Sequence, residues 1–370
     1  MEINGYSISI IMPVFNVELF IEECLKSIMS QTYTNVECII VDDCGTDKSI
    51  EIAKSVVSNY KGEIEFKFLR NEVNSGISVS RNSGIKEAKG DFLFFIDSDD
   101  RLFPDSLQIL IDKAKYYQDV DLVQGNCKSE VETDPRAKLL YIKKGTFPEY
   151  ICDKGIIQQT MLHWSFPTTV WNKLIKRSCV VDNNLFFMEG IVHEDEHWKW
   201  LVEKYVNKLV IINDCTYWYR TVSPGSVMNT PDLTKSVLSR IKIFEYIALH
   251  GTSNFDISFA VHFLPYQVKI LRWDKIKDKL PEDCNLYING WSDYSQQLTK
   301  IPSNVVELRS FDFIDDSITS LTIPTTVTKI EWINNLPSSL KELTLSKKTT
   351  APRPLVLLKL QLLIILPKSL

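Results

Sequence analysis

The stretch that decides the fold is Phe92-Leu93-Phe94-Phe95-Ile96-Asp97-Ser98-Asp99-Asp100. Five apolar residues in a row, closed by a polar turn, read as a strand buried on both faces, the kind found in parallel sheets. The carboxyl end of such a strand is where α/β sheets place their ligands. Three carboxylates in four residues repel one another unless a cation sits among them. Hard oxygen ligands suit Mg²⁺ or Mn²⁺, held by one or two carboxylates while phosphates complete the shell. The competing reading is an acidic lead into a helix opened by Pro104.

Working outward, the first 126 residues alternate between two periods. Strands are expected at Ser7–Met12, Val36–Val41, Phe66–Leu69, Phe92–Ile96 and Leu122–Gln124. Between them lie helices: one capped by Asn16, one over about Thr46 to Asn59, and Ser78–Lys89 closed by Gly90 at C′. Another is opened by Pro104, with Leu107, Leu110, Ile111 and Ala114 on one face. This order means βαβ units and a parallel sheet. Three strand ends then become candidate site loops: Pro13–Asn16, Asp42–Asp47 and Asp97–Asp100.

Composition sets the limits. The chain has 370 residues, enough for two to three domains, with 24% charged and 44% hydrophobic residues and a net charge of −5. A binder of phosphate backbones would carry a basic surplus, so nucleic acid is not an expected partner. Eight scattered cysteines without CxxC spacing read as free thiols in a reducing compartment. No signal peptide is read at the start. The greasy run Leu355–Leu366 is too short for a bilayer span of about 20 residues. A cytoplasmic location follows as an expectation, with room for peripheral membrane contact.

Further motifs carry candidate chemistry. Asp42 and Asp43 end the second strand, where a carboxylate can accept hydrogen bonds from a base imide or a ribose hydroxyl. One of the two is expected to be structural. Asn74-Ser75-Gly76 leads into Arg81, and a helix N-terminus with a fixed cation suits a phosphate-bearing ligand. His193-Glu194-Asp195-Glu196-His197 departs from HExxH and lacks an evident third ligand, so Glu194 or Asp195 reads better as a catalytic carboxylate than the histidines do as a zinc pair. Tyr219-Arg220, before Ser223-Pro224-Gly225-Ser226, suits a loop closing over a diphosphate or a plain surface connection. Trp164, Trp171 and Trp198 fit either a sugar platform or core.

Residues 232–280 hold two helical stretches, Lys235–His250 and Ser258–Lys279. In the tail, Val305/Leu308, Ile318/Leu321, Val327/Ile330 and Leu340/Leu343 share one spacing, and alternate pairs lie 22 residues apart. That period belongs to leucine-rich solenoids.

Ile10-Ile11-Met12-Pro13-Val14-Phe15-Asn16, Val41-Asp42-Asp43, Asn74-x-Gly76 with Arg81-Asn82-x-Gly84, Asp97-Ser98-Asp99-Asp100 and Glu194-Asp195 stand in the order seen in family 2 glycosyltransferases. Trp171-Asn172-Lys173-Leu174 and Tyr219-Arg220 add a resemblance to bacterial-type members. The resemblance covers about residues 6–228. It implies a GT-A fold: a Rossmann-like α/β sheet with helices on both faces. It also implies an inverting, metal-dependent hexosyl- or N-acetylhexosaminyl-transferase using a nucleotide-diphosphate sugar and a hydroxyl acceptor, as in polysaccharide biosynthesis. By position, Pro13, Phe15, Asn16, Asp42, Asp43, Asn74, Gly76, Arg81, Asp97, Ser98 and Arg220 would bind the nucleotide sugar. Asp99, with Asp97, would hold Mn²⁺ or Mg²⁺, and Asp195 or Glu194 would be the base. Cys44-Gly45 and Ser80 depart slightly from the family pattern. The alternative is a degenerate, non-catalytic binding protein. The tail unit Leu336-Pro337-Ser338-Ser339-Leu340-Lys341-Glu342-Leu343 resembles FNIP-type leucine-rich repeats. The expected division is a transferase domain at 1–228, a helical extension at 229–290 and a truncated-looking repeat tail at 291–370.

Overall fold

The computed structural model describes residues 5–131, 140–163 and 165–221, and short stretches among 239–251, 286–288, 305–308, 318–330, 339–345 and 363–365. The chain divides into two compact units, residues 1–236 and 237–370.

The first unit is built on one sheet. Its strands are β1 (Ile8–Val14), β2 (Val36–Asp42), β3 (Glu65–Arg70), β4 (Phe92–Phe95), β5 (Arg101–Leu102), β6 (Leu122–Ser129), β7 (Tyr150–Ile151), β8 (Lys173–Lys176) and β9 (Leu209–Tyr219). The order across the sheet is β3-β2-β1-β4-β8-β6-β9-β5, with β7 pairing β9. The helices are α1 (Ile21–Met29), α2 (Ser49–Ser58), α3 (Ile77–Glu87), α4 (Ser106–Tyr117), α5 (Lys154–Leu162), α6 (Arg177–Val181) and α7 (Glu194–Tyr205).

Strands β3, β2, β1 and β4 run parallel. Side chains alternate across the sheet with the period of two that strands impose. Ile10, Met12, Cys38, Ile40, Phe94 and Ile96 enter a core shared with Leu25, Ile28, Leu107 and Ile111. Ile11, Ile39, Val41, Leu93 and Phe95 enter a second core, with Ile85, Trp198 and Val202. Two apolar faces need two helical layers, so the α/β fold class holds, with helices flanking a central sheet. The five strands expected to be parallel, β1, β2, β3, β4 and β6, do run in one direction, and the antiparallel strands are ones the reading did not include. β8 enters between β4 and β6, antiparallel to both, and β5 runs antiparallel to β9.

Two local expectations also change. Asn16 does not cap α1. A turn at Val17–Phe20 intervenes, and Asn16, in a left-handed conformation (φ 52), accepts the Thr46 N–H at 2.8 Å. Gly90 is not the C′ residue of α3, because Ala88 is already extended. Gly90 is needed for a close approach: a Cβ there would lie 2.6 Å from the Ser9 nitrogen.

In the second unit, residues 239, 242, 243, 246, 247, 249 and 250 are helical, with Ile243 and Ile247 buried. The expected helix at Ser258–Lys279 lies outside the described residues. The tail strands are β10 (Leu286–Ile288), β11 (Val305–Leu308), β12 (Ser320–Thr322), β13 (Lys329–Ile330), β14 (Glu342–Thr344) and β15 (Leu363–Ile365). β11 pairs with β13 in parallel, Leu308 opposite Ile330. β12 pairs with β14 in parallel, Leu321 opposite Leu343, both buried. The 22-residue spacing read in the sequence is the register offset of both pairs.

Candidate active site

The three expected strand-end loops gather at one edge of the sheet. Asp43 N–H donates to Val14 O at 3.0 Å, and Ile96 N–H to Ile11 O at 3.2 Å. The first two loops are stitched together: Val17 N–H donates to Ser49 Oγ (2.8 Å) and Glu18 N–H to Asp47 (2.9 Å). Hydrogen bonds to Asp47 from Ser49 and Glu18 hold its carboxyl below the usual range, outweighing the opposing effect of burial. Phe15, Asn16 and Asn74 are exposed on this edge and Pro13 is half-buried.

Asp42 and Asp43 are both buried and divide their work. Asp42 accepts the Cys44 N–H at 2.9 Å and meets Arg70 at 3.4 Å. Asp43 accepts three bonds: Asn71 Nδ2 at 2.7 Å, Ser75 N–H at 2.9 Å and Gly76 N–H at 2.8 Å. Asp43 therefore builds the loop into α3. Gly76 takes φ 87 there, a conformation only glycine adopts cheaply.

The acidic run after β4 does not point at one place. Asp100 is buried and accepts the Tyr217 hydroxyl (2.8 Å) and the Arg220 N–H (2.7 Å). Burial, then the charges of Asp99 and Asp97, push its carboxyl well up. Tyr217 also accepts the Asp97 N–H at 3.1 Å. Asp97 turns the other way and pairs with Arg81 at 3.0 Å. Burial raises the Asp97 carboxyl against the pull of Arg81. Mutual repulsion is thus relieved by separate partners for Asp97 and Asp100, where the sequence suggested one shared cation. Ser98 is buried and Asp99 half-buried. Arg220 braces the loop: Nε donates to Asp99 O at 2.8 Å, and its remaining nitrogens meet Glu130 (2.8 Å) and Glu23 (2.5 Å).

Arg81, 3% exposed, joins this loop to α7, meeting Glu194 at 2.6 Å as well as Asp97. Asp195 follows in the first turn of α7. Burial and the flanking charges of Glu194 and Glu196 push its carboxyl up to about 7, against Arg81. A carboxyl held there is tuned for proton transfer near neutral pH. The other end of α7 is capped by Lys154, whose Nζ donates to Glu203 O (2.7 Å), Lys204 O (2.9 Å) and Val206 O (2.7 Å).

Several expectations resolve to scaffold. Trp198 is buried, donates to Leu185 O at 2.9 Å and stacks on Phe187. Trp171 stacks on Tyr217 at 4.3 Å. Neither is a sugar platform. Trp164 and Ser223–Ser226 lie outside the described residues. Asn172 (φ 59) donates to Asn126 O at 2.8 Å and accepts Thr216 Oγ1 at 2.6 Å, tying β8 to β6 and β9. The sequence reading quoted Asn82 only within the family motif and gave it no role, and it missed Tyr217 and Lys154 as organisers. Aromatic density around Tyr217 was the hint for that residue.

The donor set at the β4 end is carboxylate oxygen. Among the described residues, no three His, Cys, Asp or Glu side chains cluster to hold a metal ion. Carboxylate oxygen of the kind Asp97 and Asp99 offer is the donor type that suits a hard divalent cation whose shell phosphate oxygens complete. Among the described residues, seven cysteines are free thiols and no helix is long and apolar enough to cross a membrane.

The "Glycosyl transferase family 2" profile matches residues 9–179. The chain is 30% identical over 227 residues to glycosyltransferase GlyG of Streptococcus pneumoniae, covering 60% of this chain and 73% of GlyG. It is 32% identical over 198 residues to the glycosyltransferase YibD of Escherichia coli, covering 52% of this chain and 54% of YibD, about half of that relative's length. The fold is similar to Staphylococcus aureus TarS 1–349 in complex with UDP-GlcNAc, with TM-score 0.57, 22% identity, and 74% and 76% of the two chains covered. It is also similar to the Pyrobaculum calidifontis mannosyltransferase PcManGT in complex with GDP-Man and Mn²⁺, with TM-score 0.52, 14% identity, and 75% and 76% covered. The chain belongs to glycosyl transferase family 2.

Proposed function

We propose that the protein is an inverting glycosyltransferase that moves a hexose or N-acetylhexosamine from a nucleotide-diphosphate donor to a hydroxyl acceptor. The observation that carries this reading is the approach of two carboxylate stations, the β4-end loop and the start of α7, with Asp195 raised to about 7. The nucleotide sugars named for TarS and PcManGT support the donor class.

In this reading Pro13, Phe15, Asn16 and Asn74 line the nucleoside site, and Asp42 receives the base. Asp97 and Ser98 face the ribose and diphosphate, and Asp97 with Asp99 would hold the divalent cation. When bound, Mn²⁺ or Mg²⁺ neutralises charge on the departing diphosphate. Asp195 takes the proton of the acceptor hydroxyl. The acceptor oxygen bonds to the anomeric carbon as the bond to the diphosphate oxygen breaks, so a single displacement inverts that centre. An acceptor hydroxyl needs such a base because it is a weak nucleophile when protonated.

The domain division remains part of this proposal: transferase at 1–228, helical extension at 229–290, and an FNIP-like repeat tail at 291–370. So does a cytoplasmic setting with a glycan or glycoconjugate acceptor. The test is turnover of a panel of UDP- and GDP-sugars with Mn²⁺. Wild type turns over at least one donor, while Asp99→Ala and Asp195→Asn do not. No turnover across the panel, or equal rates in all three proteins, overturns the reading.

A further inference from the structure

We infer that Arg81 is a positioning residue: anchored on Glu194, it fixes the first turn of α7, and with it the Asp195 carboxyl, against the β4-end loop. The inference rests on the glycosyltransferase reading above and replaces the nucleotide-contacting role that the family resemblance implies for Arg81.

Both terminal nitrogens of the guanidinium are committed, Nη1 to Glu194 at 2.6 Å and Nη2 to Asp97 at 3.0 Å. Its face lies over the Phe187 ring at 5.3 Å. Phe187 in turn stacks at 4.9 Å on Trp198, one turn further along α7. The neighbouring residue on α3 repeats the grip. Asn82 donates to Phe187 O at 3.0 Å and accepts the Phe187 N–H at 2.8 Å. The segment entering α7 is thus held by two consecutive residues of α3. His193, in a left-handed conformation (φ 65), makes the bend into the helix.

Charge supports the same conclusion. The guanidinium charge is already answered within the protein by two carboxylates. An always-charged, planar cation with a fixed fork is suited to holding two carboxylates at a set separation. With Glu194 spent on Arg81, Asp195 is left to act as the base.

The experiment uses the full chain: Arg81→Met, Arg81→Lys, Glu194→Gln and the Arg81→Met/Glu194→Gln double variant. Kinetics are run with the donor turned over in the panel, UDP-N-acetylglucosamine first, and Mn²⁺. Hydrogen exchange is followed separately, without ligand, over residues 190–198. Glu194→Gln is expected to lower kcat by about 10–100-fold, as small misplacements of catalytic groups do, with donor KM unchanged within about twofold. The double variant is expected to be no worse than its worse parent, because the two residues act as one unit. Arg81→Lys should recover part of the kcat that Arg81→Met loses. Exchange at 194–198 should rise in Glu194→Gln while α3 stays protected. A raised donor KM at unchanged kcat in Arg81→Met, additive losses in the double variant, or unaltered exchange overturns the inference. If Arg81→Met fails to fold, Arg81→Lys and Glu194→Gln decide it. If wild type turns over no donor, the proposed function fails, and the exchange arm still judges the bridge.

Discussion

Tyr217 and Asp100 lie 117 residues apart in the chain, and the Tyr217 hydroxyl donates to the Asp100 carboxylate at 2.8 Å inside the core. The same oxygen accepts the Asp97 N–H. One phenol from β9 therefore holds both ends of the Asp97–Asp100 turn. Tyr217→Phe removes one oxygen and leaves a buried carboxyl and an amide short of a partner. Stability in urea should fall by about 1–3 kcal/mol, and Mn²⁺-dependent donor binding should weaken, as read by calorimetry.

Asp195 sets the expected pH response. Its carboxyl is raised to about 7, so the fraction able to accept a proton grows as pH rises through 7. Transfer rate should climb across that range and level off above it. Asp195→Asn should lose about 10²–10⁴ in kcat and keep donor binding. The stability sign is opposite. A carboxyl whose folded value lies above its unfolded value binds extra protons in the folded state, so its ionisation costs stability as pH rises toward 7. Asp195→Asn should therefore melt higher than wild type at pH 8 and less so at pH 5.

Gly76 offers a purely conformational test. No atom lies within 4 Å of where its Cβ would stand, so Gly76→Ala meets no clash and pays only for φ 87. With ψ 165 this is a region essentially reserved for glycine, and a cost of about 1–3 kcal/mol is expected. Asp43→Ala should cost more, because Ser75 and Gly76 N–H and Asn71 all lose their acceptor. Chemical denaturation of the two variants checks the order.

Lys154 closes the far end of α7 on three carbonyls. Lys154→Met should fray the last turn and lower stability by about 1–2 kcal/mol. Exchange at residues 202–206 should rise, with donor KM unchanged.

The half of the sheet that was legible in the sequence owes its legibility to burial. β1, β2 and β4 are apolar on both faces, so composition alone marks them, and the strand-end rule then points to Asp42 and Asp97. β8 escaped because it opens on Lys173, a lysine buried with its Nζ on the carbonyls of Pro167 and Thr169. β9 escaped because Asn213 and Asp214 interrupt its apolar run where the pairing with β6 shifts register. Asn16 has the residue type of a helix cap, yet the neighbouring loop claims its side chain. Arg81 and Glu194 stand 113 residues apart. Nothing local in either segment announces that they meet.

Leu321 with Leu343, and Leu308 with Ile330, pair at an offset of 22 residues, whereas β14 and β15 pair at 21, Leu343 opposite Ile364. A one-residue slip of β14 against β12 would turn that strand inside out and bring the buried Leu343 to the other face. Changes of length between β12 and β14 should therefore be tolerated only where they keep Leu343 on its buried side, much as a zip closes only when its teeth meet in step.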